Sequence, residues 1–281
     1  MKILVTGVNG QLGHDVAKEL KKRNIECLGV DIDDFDITDK ISTIASIINY
    51  HPDVVVHCSA YTAVDKAEDV PELCRSVNSE GPRNIALACK EVDAKMIYIS
   101  TDYVFPGTGE HEYEIDDPTE PLGVYGKTKL EGEIAVKEVL SKYFIVRISW
   151  AFGKNGNNFV KTMLRLGKER DEVNVVCDQI GSPTYTADLA PLLCDMAVTE
   201  KYGTYHATNE GFCSWADFAK EIFKQAGYTT QIKAIPTAQY PTKAKRPLNS
   251  RMSKKSLDAT GFSRLPVWQD ALKSYLKELK D

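Results

Sequence analysis

The sequence predicts an α/β fold: a doubly wound parallel sheet of the Rossmann type, with a smaller C-terminal lobe interwoven with it. Short β-branched runs alternate with helical patterns over the first 150 residues. A glycine-rich turn joins the first run to the first helical pattern. Strands that are separated by helices make right-handed crossovers, and they therefore form parallel sheets.

The elements follow from the spacing of apolar residues. Five strands are predicted at residues 2–6, 25–30, 53–57, 95–99 and 144–148. Helical patterns lie between them at residues 12–20, 37–50, 72–91 and 125–140. Beyond residue 150 we expect strands at 172–177 and 203–207, and helices at 158–168, 186–198, 215–226 and 267–279.

Composition and charge exclude several classes of protein. The 281 residues carry a formal net charge of −5, which argues against a general nucleic-acid binder. No apolar run approaches the roughly 18–20 residues of a membrane span, and Met1 leads directly into a strand, so no signal peptide is expected. The seven cysteines are scattered and form no C-x-x-C pair. We therefore expect reduced thiols and a cytoplasmic protein.

The glycine turn predicts a dinucleotide site. Gly7, Gly10 and Gly13 lie between the first strand and the first helix, where glycines let the backbone approach a pyrophosphate and the helix N-terminus supplies N–H groups. Asp31 ends the second strand eighteen residues later, a position from which a carboxylate accepts hydrogen bonds from ribose hydroxyls. The alternative is an ordinary glycine-rich turn followed by an exposed Asp, because the spacing is G-x-x-G-x-x-G and not G-x-G-x-x-G.

Tyr125 and Lys129 form a candidate proton donor. They are four residues apart, so a helix places both side chains on one face. A phenol titrates near ~10, and a neighbouring cation stabilises the phenolate and is expected to lower that pKa. The alternative is a solvated helix face, on which both residue types are common.

Polar and aromatic residues follow three of the predicted strands. Residues 60–62 follow the third strand, residues 100–102 the fourth, and residues 149–150 the fifth. Ligands bind at the carboxyl ends of parallel strands, so these loops are expected to meet the glycine turn in one crevice. Ser100 and Thr101 would each offer a hydroxyl to a substrate carbonyl, or would cap the next turn instead.

These features together resemble the extended short-chain dehydrogenases/reductases, and longer motifs are similar to the dTDP-4-dehydrorhamnose reductases among them. The motifs are residues 63–68 (AVDKAE), 100–107 (STDYVFPG), 124–130 (VYGKTKL), 156–159 (GNNF), 161–165 (KTMLR) and 246–251 (RPLNSR). The resemblance extends from Met1 to about Trp268. It implies NAD(P)H-dependent reduction of the 4-keto group of dTDP-4-dehydro-L-rhamnose. The carboxylates of Asp31, Asp33 and Asp34 near the expected adenosine ribose would repel a 2′-phosphate, so NADH is the expected preferred cofactor, with NADPH accepted less well.

The resemblance also implies a role for each matching residue. Tyr125 would be the general acid, Lys129 its partner and a ligand of the nicotinamide ribose, and Thr101 the hydroxyl that orients the sugar carbonyl. The cofactor would be held by Gly7, Gly10, Gln11, Leu12, Asp31, Asp36, Ile37, Ala60, Tyr61 and Thr62. Asp102 and Trp150 would face the sugar nucleotide substrate. Six basic residues and no acid lie between Thr242 and Leu257; among them Arg251 is the candidate diphosphate clamp, because a guanidinium fork matches phosphate geometry, and a solvated basic face is the alternative.

The domain organisation follows from the same pattern. Residues 1–150 are expected to form a dinucleotide-binding Rossmann domain, with return segments near 172–202, and residues 151–281 to form most of a substrate-binding lobe. Some related proteins are magnesium-dependent dimers with a carboxylate early in the first helix. Asp15 is the nearest equivalent here and has no evident partner cluster, so no metal is predicted. A homodimer is one alternative for the assembly, and neither a nucleic acid nor a membrane is expected as a partner.

Two other functions stay open. A sugar-nucleotide 4,6-dehydratase or 4-epimerase shares the superfamily, although dehydratases typically carry an acidic pair after the catalytic hydroxyl residue, and here Tyr103 follows Asp102. A regulatory subunit of methionine adenosyltransferase shares the fold and the Tyr-x-x-x-Lys pattern without the activity. The nucleotide base and the sugar stereochemistry are not predicted by the sequence.

Overall fold

The computed structural model describes residues 1–280, in which strands and helices alternate as expected. The strands are β1 (Lys2–Thr6), β2 (Glu26–Val30), β3 (Val54–His57), β4 (Lys95–Thr101), β5 (Tyr143–Ile148), β6 (Ala151–Phe152), β7 (Glu172–Val176), β8 (Ile180–Gly181), β9 (Thr184–Tyr185), β10 (Gly203–His206), β11 (Cys213–Ser214), β12 (Gln231–Ile235) and β13 (Asn249–Ser250). The α-helices are α1 (Gln11–Lys22), α2 (Lys40–Tyr50), α3 (Val64–Ala67), α4 (Pro71–Arg75), α5 (Gly81–Glu91), α6 (Val124–Val139), α7 (Phe159–Glu169), α8 (Thr186–Ala197), α9 (Trp215–Ala226), α10 (Lys255–Thr260) and α11 (Trp268–Glu278).

Six strands form one parallel sheet in the order β10-β5-β4-β3-β1-β2. In its register, Val5 of β1 lies between Gly29 of β2 and Val56 of β3. The strand order reverses between β1 and β3, and such a switch point opens a crevice at the carboxyl ends of the strands. The predicted doubly wound parallel sheet is confirmed.

Both faces of the sheet are covered, which explains why its strands are continuous apolar runs. One face carries Ile3 and Val5 and packs against α1 and α8. The other face carries Leu4, Val55 and Tyr98, and it is covered by α2, α5 and α6. The apolar side chains on both faces of the sheet are therefore buried beneath helices.

The second lobe has its own core and is interwoven with the first. Phe152, Phe218 and Trp268 centre a cluster among α7, α9 and α11 beside the parallel pair β7 and β12. Helix α8 returns to pack on α1, and β10 adds the sixth strand to the main sheet beside β5. Within the predicted return region of residues 172–202, β7 pairs with β12 in the second lobe and α8 packs on α1, whereas β10 follows that region.

Two predicted helices differ from the sequence expectation. The predicted helix over residues 72–91 is α4, a π-helical turn (Ser76–Glu80) and α5. Pro82 has no N–H to donate to the carbonyl four residues earlier, which frees the C=O of Asn78. Helix α2 begins at Lys40 and not at residue 37, because the Asp39 carboxylate accepts from Ile41 N and caps it.

Several two-residue strands were not predicted, because so short a segment carries no apolar period. They are β6, β8, β9, β11 and β13, and they form a three-stranded sheet in the order β11-β8-β13 and the pair β6-β9. Across residues 1–280, no helix combines the length and the apolar character that crossing a lipid bilayer would require.

Candidate active site

A cleft of about 720 Å³ lies at the carboxyl ends of β1, β3, β4 and β5. It collects most of the predicted residues: Gly7, Gly10, Gln11, Leu12, Asp31, Asp36, Ile37, Ala60, Thr62, Thr101, Asp102, Tyr125, Lys129 and Trp150 all line it. Segments far apart in sequence meet here because parallel strands end at one edge.

The glycine turn forms one end of the cleft. Gly7 has φ 67°, and a Cβ at this position would lie 2.8 Å from Ser59 N, so only glycine fits without strain. Gly10 is the N-cap residue of α1 and has no side chain that could cap the helix. The first turn of α1 contains no acidic residue either. The N-terminal N–H groups are therefore free for an anion.

Asp31 lies beside the turn and is held by the backbone. Its Oδ2 accepts from Asn9 N at 3.0 Å, and its Oδ1 accepts from Ile32 N at 2.9 Å. Asp34 Oδ2 in turn accepts from Asp31 N at 2.7 Å. Two carboxylates are thus fixed at the end of β2, where they would repel an additional anion.

The end of β4 presents Thr101 and Asp102 to the cleft. Thr101 Oγ1 accepts from Tyr103 N at 3.2 Å and donates to Asp102 Oδ1 at 3.0 Å, so it caps the 3-10 turn and lines the cleft at once. Ser250 Oγ donates to Asp102 Oδ2 at 2.5 Å. Burial raises the pKa of Asp102 to about 6, against the lowering effect of these hydroxyls.

Ser100 has a different partner from Thr101. Its hydroxyl donates to Glu133 Oε1 at 2.6 Å, and Glu133 also pairs with Arg147 at 2.7 Å. Both charged side chains are almost fully buried. The alternatives left open for the two hydroxyls are thereby distinguished, since Ser100 is committed to a buried ion pair.

Tyr125 and Lys129 lie on α6, as the four-residue spacing predicted. A Cβ at Gly126 would lie 2.3 Å from Tyr103 O, so this glycine allows the helix to start tightly against the end of β4. The Tyr125 ring makes an edge contact with Tyr103, with centroids 5.4 Å apart. The close approach brings the phenol to the side of the cleft that holds Thr101.

The expectation that Lys129 lowers the pKa of Tyr125 is wrong. Burial raises the pKa of Tyr125 above its ordinary value, although the Thr101 hydroxyl opposes this. Burial also lowers the pKa of Lys129 to about 7, opposed by the Glu133 carboxylate. Desolvation is the largest effect on the Tyr125 phenol. Tyr125 is therefore protonated at neutral pH, which is the state a proton donor requires.

Two predicted residues lie outside the cleft lining. The backbone of Tyr61 is bound to the Asn78 side chain, which accepts from its N at 2.8 Å and donates to its O at 3.1 Å. The Arg251 guanidinium donates to Asn249 Oδ1 at 2.9 Å and does not line the cleft. Arg246, in contrast, contacts the cleft lining. It donates to the hydroxyl of Tyr103, a residue of that lining, at 3.0 Å.

Trp215 lines the cleft and was not predicted to do so. Its ring stacks on Trp150 with centroids 3.7 Å apart and planes inclined by 16°. Trp150 has φ 49°, a strained value for a bulky residue, and such strain is common at functional sites. The capping box of Ser214 and Asp217 starts α9 at Trp215, and this box was the only sequence signal for its position.

The acidic residue considered for a metal is engaged within the protein. Asp15 is buried, and Thr186 Oγ1 donates to its Oδ2 at 2.5 Å. Between residues 1 and 280, no group of three or more His, Cys, Asp or Glu side chains is arranged to hold a metal ion.

Comparison with known proteins identifies the family. The family model of the RmlD substrate binding domain matches residues 1–281. The chain belongs to this family. A dTDP-4-dehydrorhamnose reductase of Aggregatibacter actinomycetemcomitans is 42% identical over 286 residues, covering 97% of each protein.

Solved structures of similar proteins agree with the RmlD family assignment. A dTDP-4-dehydrorhamnose reductase of Clostridium acetobutylicum has a TM-score of 0.98 and 44% identity over 100% of both chains. One of Bacillus anthracis, in complex with NADP, has a TM-score of 0.96 and 43% identity over 99% of both chains. The resemblance that the motifs predicted is therefore confirmed along the whole chain.

Proposed function

We propose that the protein reduces the 4-keto group of dTDP-4-dehydro-L-rhamnose to give dTDP-L-rhamnose, the last step of dTDP-rhamnose synthesis, with NAD(P)H as the reductant. The observation that carries this proposal is the convergence of Thr101, Tyr125 and Lys129 on one cleft beside an uncapped helix N-terminus. Relatives that bear the name of this reductase match over nearly the entire chain.

The end of the cleft at the glycine turn fits a dinucleotide. The pyrophosphate would bind the free N–H groups of the α1 N-terminus beside Gly10, Gln11 and Leu12, and Asp31 would accept from the adenosine ribose. Asp36 and Ile37 would lie by the adenine. Ala60 and Thr62 would flank the pyrophosphate and the ribose, while Tyr61 supports this segment through Asn78.

The reaction needs one proton to be delivered at the right place. Bound NAD(P)H supplies the hydride. Tyr125 donates its proton to the sugar O4 as negative charge develops there, and the Thr101 hydroxyl turns from Asp102 to donate to the same oxygen. Lys129 binds the nicotinamide ribose and stabilises the phenolate that is left. The protein thus positions both ligands and controls one proton.

NADH is proposed as the preferred cofactor. Asp31 and Asp34 are fixed where a 2′-phosphate would lie, and Asp33 is adjacent. Among the described residues of the cleft lining, Lys129 is the sole basic one. Arg23 is not available, since it is bound to Glu19 and Asp195.

The substrate would occupy the other end of the cleft. Asp102 and Trp150 would face the sugar, with Trp215 supporting the Trp150 ring. Arg251 is kept as the proposed diphosphate ligand, with Arg246 as its rival because Arg246 is tied to Tyr103. Comparing KM for the substrate in Arg251→Met and Arg246→Met decides between them.

Direct assay tests the proposed function. The protein is incubated with dTDP-4-dehydro-L-rhamnose and NADH or NADPH, and the product is identified by NMR. Formation of dTDP-L-rhamnose with stoichiometric cofactor oxidation is expected, and Tyr125→Phe serves as the inactive control. Cofactor binding without turnover would reject this substrate in favour of another keto-sugar nucleotide.

The same preparation distinguishes the rival functions. Stoichiometric NAD that stays bound through purification would favour a 4-epimerase. Recovery of methionine adenosyltransferase in a pull-down, without reductase activity, would favour a regulatory subunit. A dehydratase would convert dTDP-glucose to a 4-keto-6-deoxy sugar without net cofactor oxidation.

We further propose the division of the chain into a dinucleotide-binding part, residues 1–150 with return segments near 172–202, and a substrate lobe in most of residues 151–281. A homodimer is the proposed assembly. Leu73 of α4 and Ile134 of α6 are about half exposed and offer apolar surface for it. Light scattering coupled to size-exclusion chromatography measures the mass of the particle.

A further inference from the structure

The ammonium of Lys129 is buried beneath the cleft, against an aromatic ring. Lys129 is 2% exposed, and its Nζ lies 4.2 Å from the centroid of the Tyr98 ring. The other described residues provide Nζ with no side-chain hydrogen bond. The ammonium thus lies over the face of the ring without a side-chain hydrogen bond to hold it there.

The Tyr98 ring cannot turn away from this position. It is fully buried in β4 and stacks on the imidazole of His57, with centroids 5.9 Å apart and planes inclined by 15°. Its hydroxyl lies 3.2 Å from Asn78 O and 3.2 Å from Lys129 O. A Cβ at Gly132 would lie 2.4 Å from that hydroxyl, so the helix leaves just enough space for the ring.

The acceptor at Asn78 exists because of a local break in the helix. Asn78 lies in the π-helical turn, and Pro82 supplies no N–H to its carbonyl. The freed C=O is the one that faces the Tyr98 hydroxyl. An irregular helix therefore fixes the ring that lies under Lys129.

Few charges face the ammonium. The titratable groups around it are Tyr125 and Glu133 on its own helix, His57 and Cys58 at the end of β3, Cys74 of α4 and Tyr98 of β4. The Glu133 carboxylate is shared with Arg147 and Ser100. Burial and the nearby ammonium lower the pKa of His57 to about 3, so this ring is neutral.

We propose that the face of the Tyr98 ring binds the Lys129 ammonium. Tyr98 is then a positioning residue that keeps Lys129 charged beneath the cofactor. A cation over an aromatic face is attracted by the ring quadrupole, and the attraction is greater where water is excluded. This contact holds Lys129 Nζ below the position proposed for the nicotinamide ribose. The inference rests on the roles proposed above for Lys129 and Tyr125.

The charge state of Lys129 is the direct test. Protein labelled with [13C]lysine is titrated by NMR, and the Lys129 signal is assigned by its loss in Lys129→Met. Tyr98→Phe keeps the ring and is expected to leave the titration midpoint near that of the native protein. Tyr98→Leu removes the ring, and the midpoint should fall by about one pH unit, because a desolvated cation–π contact of this kind is lost.

A graded series separates the ring's electrostatics from its shape. Replacing Tyr98 by Phe with one, two or three ring fluorines weakens the quadrupole and barely alters the volume, so the midpoint should fall stepwise. This series decides the matter even where Tyr98→Leu fails to fold. Tyr205→Leu, which empties a similar buried site in β10, is the matched control and should leave the Lys129 midpoint unchanged.

Kinetics give an independent readout. The alkaline limb of kcat/KM for NADH reports the free enzyme, and it should move to lower pH in parallel with the NMR midpoint. An unchanged Lys129 midpoint in the fluorinated series would overturn the inference, whatever the activity. A shifted Lys129 midpoint in a protein that does not reduce the keto sugar would instead support the contact between Tyr98 and Lys129 and reject the proposed function.

Discussion

At the scale of single residues, the site depends on which proton and which charge the protein keeps in place. Tyr125 holds its proton because burial disfavours the phenolate. Lys129 is close to losing its charge, since burial lowers its pKa to about 7.

Tyr125→Phe should retain cofactor binding and lose most of its turnover. A positioned proton donor contributes about 10²–10⁴-fold, and Phe keeps the ring but has no proton. Steady-state kinetics and a fluorescence titration with NADH measure the two properties. Thr101→Val is expected to lose less, because it deletes one hydrogen bond to the developing oxyanion. Native kcat in Tyr125→Phe would remove this residue from the mechanism.

Asp31→Ala should weaken NADH binding and narrow the difference between NADH and NADPH. The native carboxylate accepts from the ribose and repels a 2′-phosphate. Values of kcat/KM for both cofactors, measured side by side, check this expectation. Asp116→Ala is the control, since Asp116 is exposed and does not line the cleft. A native preference of tenfold or more for NADPH, about 1.4 kcal/mol, would contradict the role given to Asp31.

At the scale of elements, the cleft depends on where helices begin. Helix α1 starts directly after Gly10, and no side chain caps it, which leaves its N-terminal N–H groups for a ligand. Helix α6 starts against the end of β4 because Gly126 has no side chain. The π-helical turn ahead of α5 supplies the carbonyl that faces Tyr98. Each irregularity in a helix thus has a consequence in the site.

Gly7→Ala should destabilise the protein by more than the ordinary cost of a left-handed residue and lower its affinity for NADH by at least tenfold. The new Cβ would meet Ser59 N at 2.8 Å, in addition to a conformational cost of about 1–2 kcal/mol. Urea denaturation and a cofactor titration measure the two effects.

Gly227→Ala provides the comparison for Gly7→Ala. Gly227 has φ 74° and no atom within 4 Å of its Cβ position. Alanine at this position should lower the free energy of unfolding only by the cost of a left-handed backbone conformation, and the affinity for NADH should not change. Equal losses in both variants would mean that the close approach of Gly7 to Ser59 contributes nothing.

At the scale of the whole molecule, the two lobes are held together by chain crossings and by a small set of polar contacts. Asn158 Nδ2 donates to Gln11 Oε1 at 2.9 Å and to the Tyr275 hydroxyl at 2.9 Å. Its Oδ1 accepts from Lys161 N at 3.0 Å and caps α7. One amide therefore joins α1 of the first lobe to α7 and α11 of the second.

Asn158→Ala should lower the free energy of unfolding by about 2 kcal/mol, because it removes a helix cap and leaves partners unpaired. Unfolding should remain one transition, since α8 and β10 tie the lobes to one sheet. Far-UV circular dichroism and fluorescence of the tryptophans at 150, 215 and 268 should coincide in urea. The exposed neighbour Asn157 is the control, and separate transitions in native protein would contradict the interwoven arrangement.

Local patterns determined much of the framework. Apolar runs marked all five strands of the first half to within two residues at each end. The runs are clearest in β1 and β3, because strands that are buried on both faces must be apolar throughout. The spacing of Gly7, Gly10 and Gly13 placed the helix N-terminus, and the four-residue spacing placed Tyr125 and Lys129 on one face of α6. These relations act over a few residues, so the sequence contains them directly.

The tertiary structure decided what depends on contacts between distant segments. Ser100 and Thr101 look alike in the sequence, and both line the cleft. Only the burial of Glu133 beside Ser100 shows that the Ser100 hydroxyl is bound to a buried ion pair, whereas the Thr101 hydroxyl bonds to Asp102. Trp215 reaches the cleft through its stacking on Trp150, sixty-five positions earlier in the chain. The direction of the Tyr125 pKa also required the fold, because desolvation depends on every segment packed around a group, whereas a sequence shows only its neighbours along the chain.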